Sequence, residues 1–356
     1  MVAVQATKRG GLIHLRSHAS TQGEVLRYDV GNGTLYDQGM AELQRQGLEL
    51  GRAGKLRVLD HLEGCLPKID FSGGDPLVAA ENFEVMRLAA QRFGREQITL
   101  TATGAGLAKY KPEEIVPWIG EFNFTYDTVS TTGSPHREAG YADGNLRRAA
   151  QFVLAGVRTR AECPLSVHNS KDDILRRLYV DLHEEGIETL LVMRLFPVGR
   201  GAFVASDIPT PEQYRRALQL LRELEAHFGK PKVKLQCALR FFDHQDMAEN
   251  PCDLVRESFG LQADGTLLAS AWAVGPSGAP LHDALVLGNL ATTPLQEILQ
   301  SDKVQQYEAR LHENFGHCKI FSFLNSRKKS PLERVFDQAD PLYTVAEDHV
   351  SVAHFA

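Results

Sequence analysis

From about residue 56 to residue 240 the chain alternates short apolar runs with helix-like segments, and this alternation restricts its fold more than any other feature. The runs are Lys68–Phe71, Gln97–Ala102, Glu121–Tyr126, Thr159–Val167, Thr189–Phe196 and Lys232–Arg240, with Gly11–Arg16 as an earlier member. Helical patterns separate them at Lys55–Glu63, Glu81–Phe93, Lys111–Ile119, Asp143–Leu154, Lys171–Glu185 and Pro209–Phe228. Gly94, Gly156 and Gly186 stand where helix C-caps are expected. Strand and helix repeated with short connections specify a parallel sheet with crossover helices. The expected fold is therefore α/β, a partial or full parallel β/α barrel over residues 1–240. Beyond it the texture changes to a smaller C-terminal α+β unit over residues 241–356. There Phe259–Leu268 reads as a hairpin turning at Asp264-Gly265 in a type I′ turn. Leu285–Leu290 precedes a helix over Thr293–Leu311.

In a β/α barrel, ligands meet the C-terminal ends of the strands. Gly73-Gly74, Thr103-Gly104, Tyr126-Asp127, His168-Asn169 and Val198-Gly199-Arg200 fall at those ends and are expected to face one mouth. The corner Ile69-Asp70-Phe71-Ser72-Gly73-Gly74-Asp75-Pro76-Leu77 is the sharpest of them. Its glycines permit a tight turn and close backbone approach, and Pro76 stops the strand. Asp75, Asp127, His136, His168 and Arg200 supply carboxylates, imidazoles and a guanidinium. Asp127, His136 and His168 are the candidate acids and bases, and Arg200 is a candidate anion clamp. His14 and His18, with Asp70 or Asp75, are candidates for a two-histidine-one-carboxylate metal site. An ordinary strand end and loop is the plainer reading of both histidines.

The formal charge of −6 argues against a nucleic-acid surface. No apolar stretch reaches the length of a membrane span, and Met1 to Gly10 does not read as a signal peptide, so a cytoplasmic protein is expected. The cysteines at 65, 163, 237, 252 and 318 contain no pair separated by two to four residues. Neither a zinc ribbon nor a disulfide framework follows from that spacing.

Residues 56 to about 300 resemble the radical S-adenosylmethionine (SAM) superfamily, in particular members with a C-terminal SPASM-type extension. Phe71-Ser72-Gly73-Gly74-Asp75-Pro76-Leu77 resembles the motif that holds the SAM amino group. Thr101-Ala102-Thr103-Gly104 is similar to the next strand end. Phe124-Thr125-Tyr126-Asp127 with Ser134-Pro135-His136-Arg137 is similar to the ribose segment. His168-Asn169-Ser170-Lys171-Asp172-Asp173 resembles the asparagine-containing start of a later helix, and Leu195-Phe196-Pro197-Val198-Gly199-Arg200-Gly201 resembles the Gly-Arg ending of the sixth strand. The resemblance implies SAM as a ligand, with Ser72, Gly73, Gly74, Asp75, Thr103, Asp127, Asn169 and Arg200 as binding residues. It also implies a peptide or protein as substrate or partner.

The defining feature of that family is a CxxxCxxC loop after the first strand, whose thiolates hold a 4Fe–4S cluster. Here the corresponding stretch, Arg16 to Val30, contains no cysteine. The C-terminal cysteines are thinned in the same way, to Cys252 and Cys318, which are the remaining metal candidates. A cluster is not expected, and without one SAM has no electron donor. The first expectation is a peptide- or partner-binding pseudoenzyme in peptide or protein maturation. The alternatives are an enzyme using SAM or a mononuclear metal at the mouth, and a radical enzyme with unusual cluster ligation.

Overall fold

The computed structural model describes residues 12–17, 44–45, 47–65, 68–73, 76–103, 106–129, 140–198, 205–244, 247–256, 258–275 and 278–343. Seven parallel strands follow the expected order: β1 (Leu12–Ser17), β2 (Lys68–Gly73), β3 (Ile98–Thr101), β4 (Glu121–Thr125), β5 (Arg158–Leu165), β6 (Thr189–Arg194) and β7 (Lys232–Leu235). The main crossover helices are α1 (Arg52–His61), α2 (Ala80–Phe93), α4 (Tyr141–Leu154), α5 (Asp172–Glu184) and α6 (Pro211–Phe228), with the single turn α3 (Pro112–Ile115) before β4. Thr210 and Gln213 close a capping box on α6, with Pro211 at the first helical position, as the Thr-Pro-Glu start suggests.

The predicted strand Lys232–Arg240 is interrupted. It ends at Leu235, and α7 (Cys237–Asp243) begins directly after Gln236. The predicted hairpin is β8 (Ser258–Leu261) and β9 (Thr266–Leu268), but its turn is not type I′. Only Gly265 has positive φ there, at 89°, whereas type I′ needs positive φ at both central residues. The Gln262 and Thr266 backbones close a three-residue loop instead, Ala263 to Gly265. The helix expected over Thr293–Leu311 is two helices, α8 (Leu295–Leu299) and α9 (Asp302–Arg310). Ser301 separates them by capping Val304 N–H.

The C-terminal strands do not stand apart from the parallel sheet. β8 pairs parallel with β1, and β9 and β10 (Val286–Asn289) continue antiparallel from it. The result is one ten-stranded sheet in the order β10-β9-β8-β1-β2-β3-β4-β5-β6-β7. Its two ends, β10 and β7, are different strands, so the barrel is partial. The chain before α1 is tied to the hairpin by the Leu50 N–H to Ala263 O bond. Beside it the buried Lys55 ammonium meets Glu49 at 2.8 Å, Glu81 at 2.9 Å and Asn82 Oδ1 at 2.8 Å. All three ammonium protons are thereby used.

The helices cover one face of the sheet. Ile69, Phe71, Ile98, Leu100, Phe122, Phe124, Ala161, Leu190 and Val192 are buried on it. Phe122 stacks on Phe152 of α4 at 4.1 Å between ring centres. Successive strand residues point to opposite faces, so the intervening side chains form the other surface.

Candidate functional site

That other surface is polar. Strands of a parallel sheet covered on both sides read as continuous apolar runs. Here β4 reads Glu-Phe-Asn-Phe-Thr and β5 reads Arg-Thr-Arg-Ala-Glu-Cys-Pro-Leu, alternating in step. Register places Asp70 beside Thr99, Thr101 beside Asn123, Asn123 beside Arg160, and Thr125 beside Glu162. Thr101 donates to Asp70 Oδ1 at 2.7 Å, and Asn123 Nδ2 donates to Thr101 Oγ1 at 3.1 Å. The Thr101 proton is committed to a carboxylate, so its oxygen accepts from Asn123 and the amide orientation follows. Asn123 Oδ1 is left as a buried acceptor with no hydrogen-bond partner. Next to it Arg160 meets Glu121 at 3.1 Å and Glu162 at 3.7 Å, and Lys68 meets Glu121 at 3.2 Å. Arg160 Nε has no partner. This strip of donors and acceptors was missed in the sequence, where β4 and β5 were taken for apolar runs. The alternation of charged with apolar residues was the available signal.

At the strand ends, Ser72 is buried and Gly73 ends β2. Asn169 is also buried, and its amide is spent on backbone. Its Nδ2 donates to Asp127 O and Pro164 O, both at 2.9 Å, and its Oδ1 accepts from Ser166 N–H at 2.8 Å. Asn169 thus joins the ends of β4 and β5, which is a positioning role. His168 is exposed and its Nε2 lies 3.2 Å from Asp207 Oδ2, a pair absent from the sequence reading. The Thr103 hydroxyl lies 3.5 Å from Tyr141 OH, on the wall of a polar cavity of about 220 Å³ behind β3 and β4. Tyr126 points to the helices, where its hydroxyl donates to Asp181 at 2.9 Å. Gly74, Asp75, His136, Arg200 and His18 lie outside the described residues, and His14 is described in its backbone alone, opposite Asp70 in register.

Cys252 and Cys318 come together with Cys237 where the C-terminal unit meets the barrel, close enough for their charges to act on one another. Burial pushes the Cys318 thiol up to about 12, with Asp340 adding to it. Burial likewise raises Cys237 and Cys252. The buried Lys319 ammonium stands among them, donating to Asn314 O at 2.9 Å, and its burial lowers its own pKa. Among the described residues no group of three or more His, Cys, Asp or Glu is arranged to hold a metal ion.

No protein-family model matches the sequence, and a search of curated protein sequences finds no match. Solved structures do match. Native anSMEcpe with bound AdoMet superposes with a TM-score of 0.54 at 14% identity, over 84% of this chain and 84% of that one. Streptococcus suis SuiB bound to the precursor peptide SuiA gives 0.57 at 13% identity, over 78% and 67%. Native anSMEcpe with AdoMet and Kp18Cys peptide gives 0.52 at 14% identity, over 73% and 74%. The chain has the fold of these radical-SAM/SPASM-type neighbours.

The residues present test the groups that such a fold brings to mind. A 4Fe–4S cluster requires thiolates that converge. Cys163 is buried on the helix side of β5, where Asn169 Nδ2 approaches its sulfur at 3.8 Å. Cys65 is buried too, and the remaining three lie in the C-terminal group around Lys319. This donor set does not fit a cluster at the strand ends. Among the described residues, no helix is long and apolar enough to cross a membrane.

Proposed function

We propose that this chain is a radical-SAM-like scaffold that holds a peptide or partner protein at the polar face of its sheet, without radical chemistry, in a maturation process. Residues 1–240 supply the barrel in this reading, and residues 241–356 form a unit built onto its β1 edge. The observation that carries it is the polar face itself, with unpartnered atoms on Asn123 and Arg160. An extended chain presents the alternating N–H and C=O groups that such a surface lacks. Arg16 to Val30, without cysteine, supports the noncatalytic part. Neighbours of the same fold are solved with peptides bound, SuiB with SuiA and anSMEcpe with Kp18Cys.

The test is selection from a displayed pool of random peptides, comparing the natural chain with Thr125→Trp. Thr125 lies on the polar face at the end of β4, so an indole there adds bulk on that face. Peptides enriched on the natural chain are expected to lose at least about tenfold in affinity on the variant. Equal enrichment on both proteins ends this reading.

SAM is retained as a ligand in this proposal. Asp75→Asn removes the carboxylate charge that the resemblance assigns to the SAM amino group, and calorimetry is expected to record at least about tenfold weaker SAM binding. Unchanged binding takes Asp75 out of the site. A second reading, a repurposed enzyme, is favoured by the His168–Asp207 pair, since a carboxylate on one ring nitrogen orients an imidazole for proton transfer.

A further inference from the structure

The cavity behind β3 and β4 is distinct from the polar sheet face. Its inner wall includes Phe122, whose ring lies on the helix-covered side of the sheet. At about 220 Å³ it holds several waters' worth of space, or one small organic group.

Three features of its lining point to a ligand. Arg148 spends Nη1 on Leu107 O at 3.0 Å, and among the described residues no carboxylate pairs with its guanidinium. A cation on a polar cavity wall without a counter-charge is suited to an anion. Asn145 is 7% exposed and donates Nδ2 to Thr125 O at 3.0 Å. That bond fixes the amide and leaves Oδ1 as an acceptor with no hydrogen-bond partner among the described residues. Gly144 is the third feature. It sits in the first turns of the 14-residue α4 with ordinary helical φ, where glycine is a poor choice. A Cβ added there meets nothing within 4 Å, so packing does not require glycine. Its effect is to leave the cavity wall bare. Gly140, at φ 79°, begins the same wall, and the hydroxyls of Thr103 and Tyr141 complete the polar side.

We infer that this cavity binds a phosphate group, free or on a small metabolite, at a site separate from the polar sheet face. Arg148 and the hydroxyls serve the charged oxygens, and the N-terminus of α4 adds its positive dipole end. Asn145 Oδ1 accepts from a protonated phosphate oxygen. That last contact discriminates: sulfate at the same pH has no proton to donate.

The test is calorimetric titration of inorganic phosphate, with sulfate in parallel, into the full chain at about pH 6, where phosphate retains a proton. Saturable phosphate binding is expected, with sulfate weaker by about tenfold or more. Arg148→Gln and Gly144→Leu are each expected to weaken phosphate by about tenfold or more. Gly144→Leu is expected to do so without lowering the thermal midpoint of the unliganded chain, because leucine is the better helix former. Glucose 6-phosphate as a further titrant separates a metabolite site from one for free phosphate. Absent phosphate binding overturns the inference, as does binding unaffected by both substitutions. Sulfate binding as tight as phosphate overturns the role of Asn145 and with it the assignment to phosphate.

Discussion

Replacing Asp340 by alanine is expected to cost about 3–5 kcal/mol of folding stability, the penalty of stranding a buried charge. Asp340 is 0% exposed and its partner Arg194, at the end of β6, is 2% exposed. Arg194 Nη1 donates to both carboxylate oxygens, at 2.9 and 2.8 Å. The same carboxylate accepts the backbone N–H of Cys318 at 2.9 Å and of Leu342 at 3.1 Å. Burial alone would lower the Arg194 pKa, and Asp340 more than restores it. Arginine does not escape by losing its proton, so the alanine variant must bury a bare guanidinium and two orphaned N–H groups. The Phe321 ring, 3.5 Å from the guanidinium carbon, offsets part of this. Arg194→Met with Asp340→Leu removes both charges and is expected to be the milder change, although the N–H groups remain unpaired. Urea unfolding of the three proteins decides the matter. A loss below about 1 kcal/mol in Asp340→Ala would mean that the pair does not clamp the C-terminal unit to the barrel.

Arg194 and Asp340 are 146 residues apart, and no local pattern joins them. What was legible in the sequence was local. The short apolar runs and the helical patterns between them place the seven parallel strands and their crossovers in order, because each element buries its own apolar side. Gln236 shows where that reasoning ends. Cys237 to Leu239 continues the apolar run of β7, yet Gln236 leaves the strand and α7 starts, since short apolar runs fit either element. Ser301 divided a helix that hydrophobic periodicity alone read as continuous. The sequence puts Asn169 beyond a strand end and, by resemblance, offers it to SAM. Only coordinates reveal that three backbone groups already use its amide. The polar face was legible in principle, since the acids and bases of β4 and β5 fall at every second residue. Reading those strands only as short apolar runs leaves that alternation unused.

Anaerobic reconstitution with ferrous iron and sulfide is expected to leave the protein without a 4Fe–4S cluster. Iron and sulfide should stay well below the roughly four of each that one cluster carries, with no sulfur-to-iron charge-transfer absorption. SAM with a strong reductant should then yield no 5′-deoxyadenosine. The cluster loop of the resembled family falls at Arg16 to Val30, where no thiol exists. The thiols elsewhere are badly placed to substitute. Cys163 is buried on the helix side, and its burial raises its pKa. Cys65 is raised for the same reason despite a hydrogen bond from Gln296. Iron must displace a proton from each thiol it binds, and Cys318, near 12, gives its proton up at a large cost. Stoichiometric iron and sulfide would sink the noncatalytic reading. Replacing Cys237, Cys252 and Cys318 together by alanine would then locate the cluster: its loss would assign it to the C-terminal group, and its survival to ligands elsewhere. If no cluster forms, the chemistry left to this fold is that of its own side chains. In the function proposed above, Asp70, Thr101, Asn123 and Arg160 belong to a recognition surface, and recognition can be measured with no electron transferred.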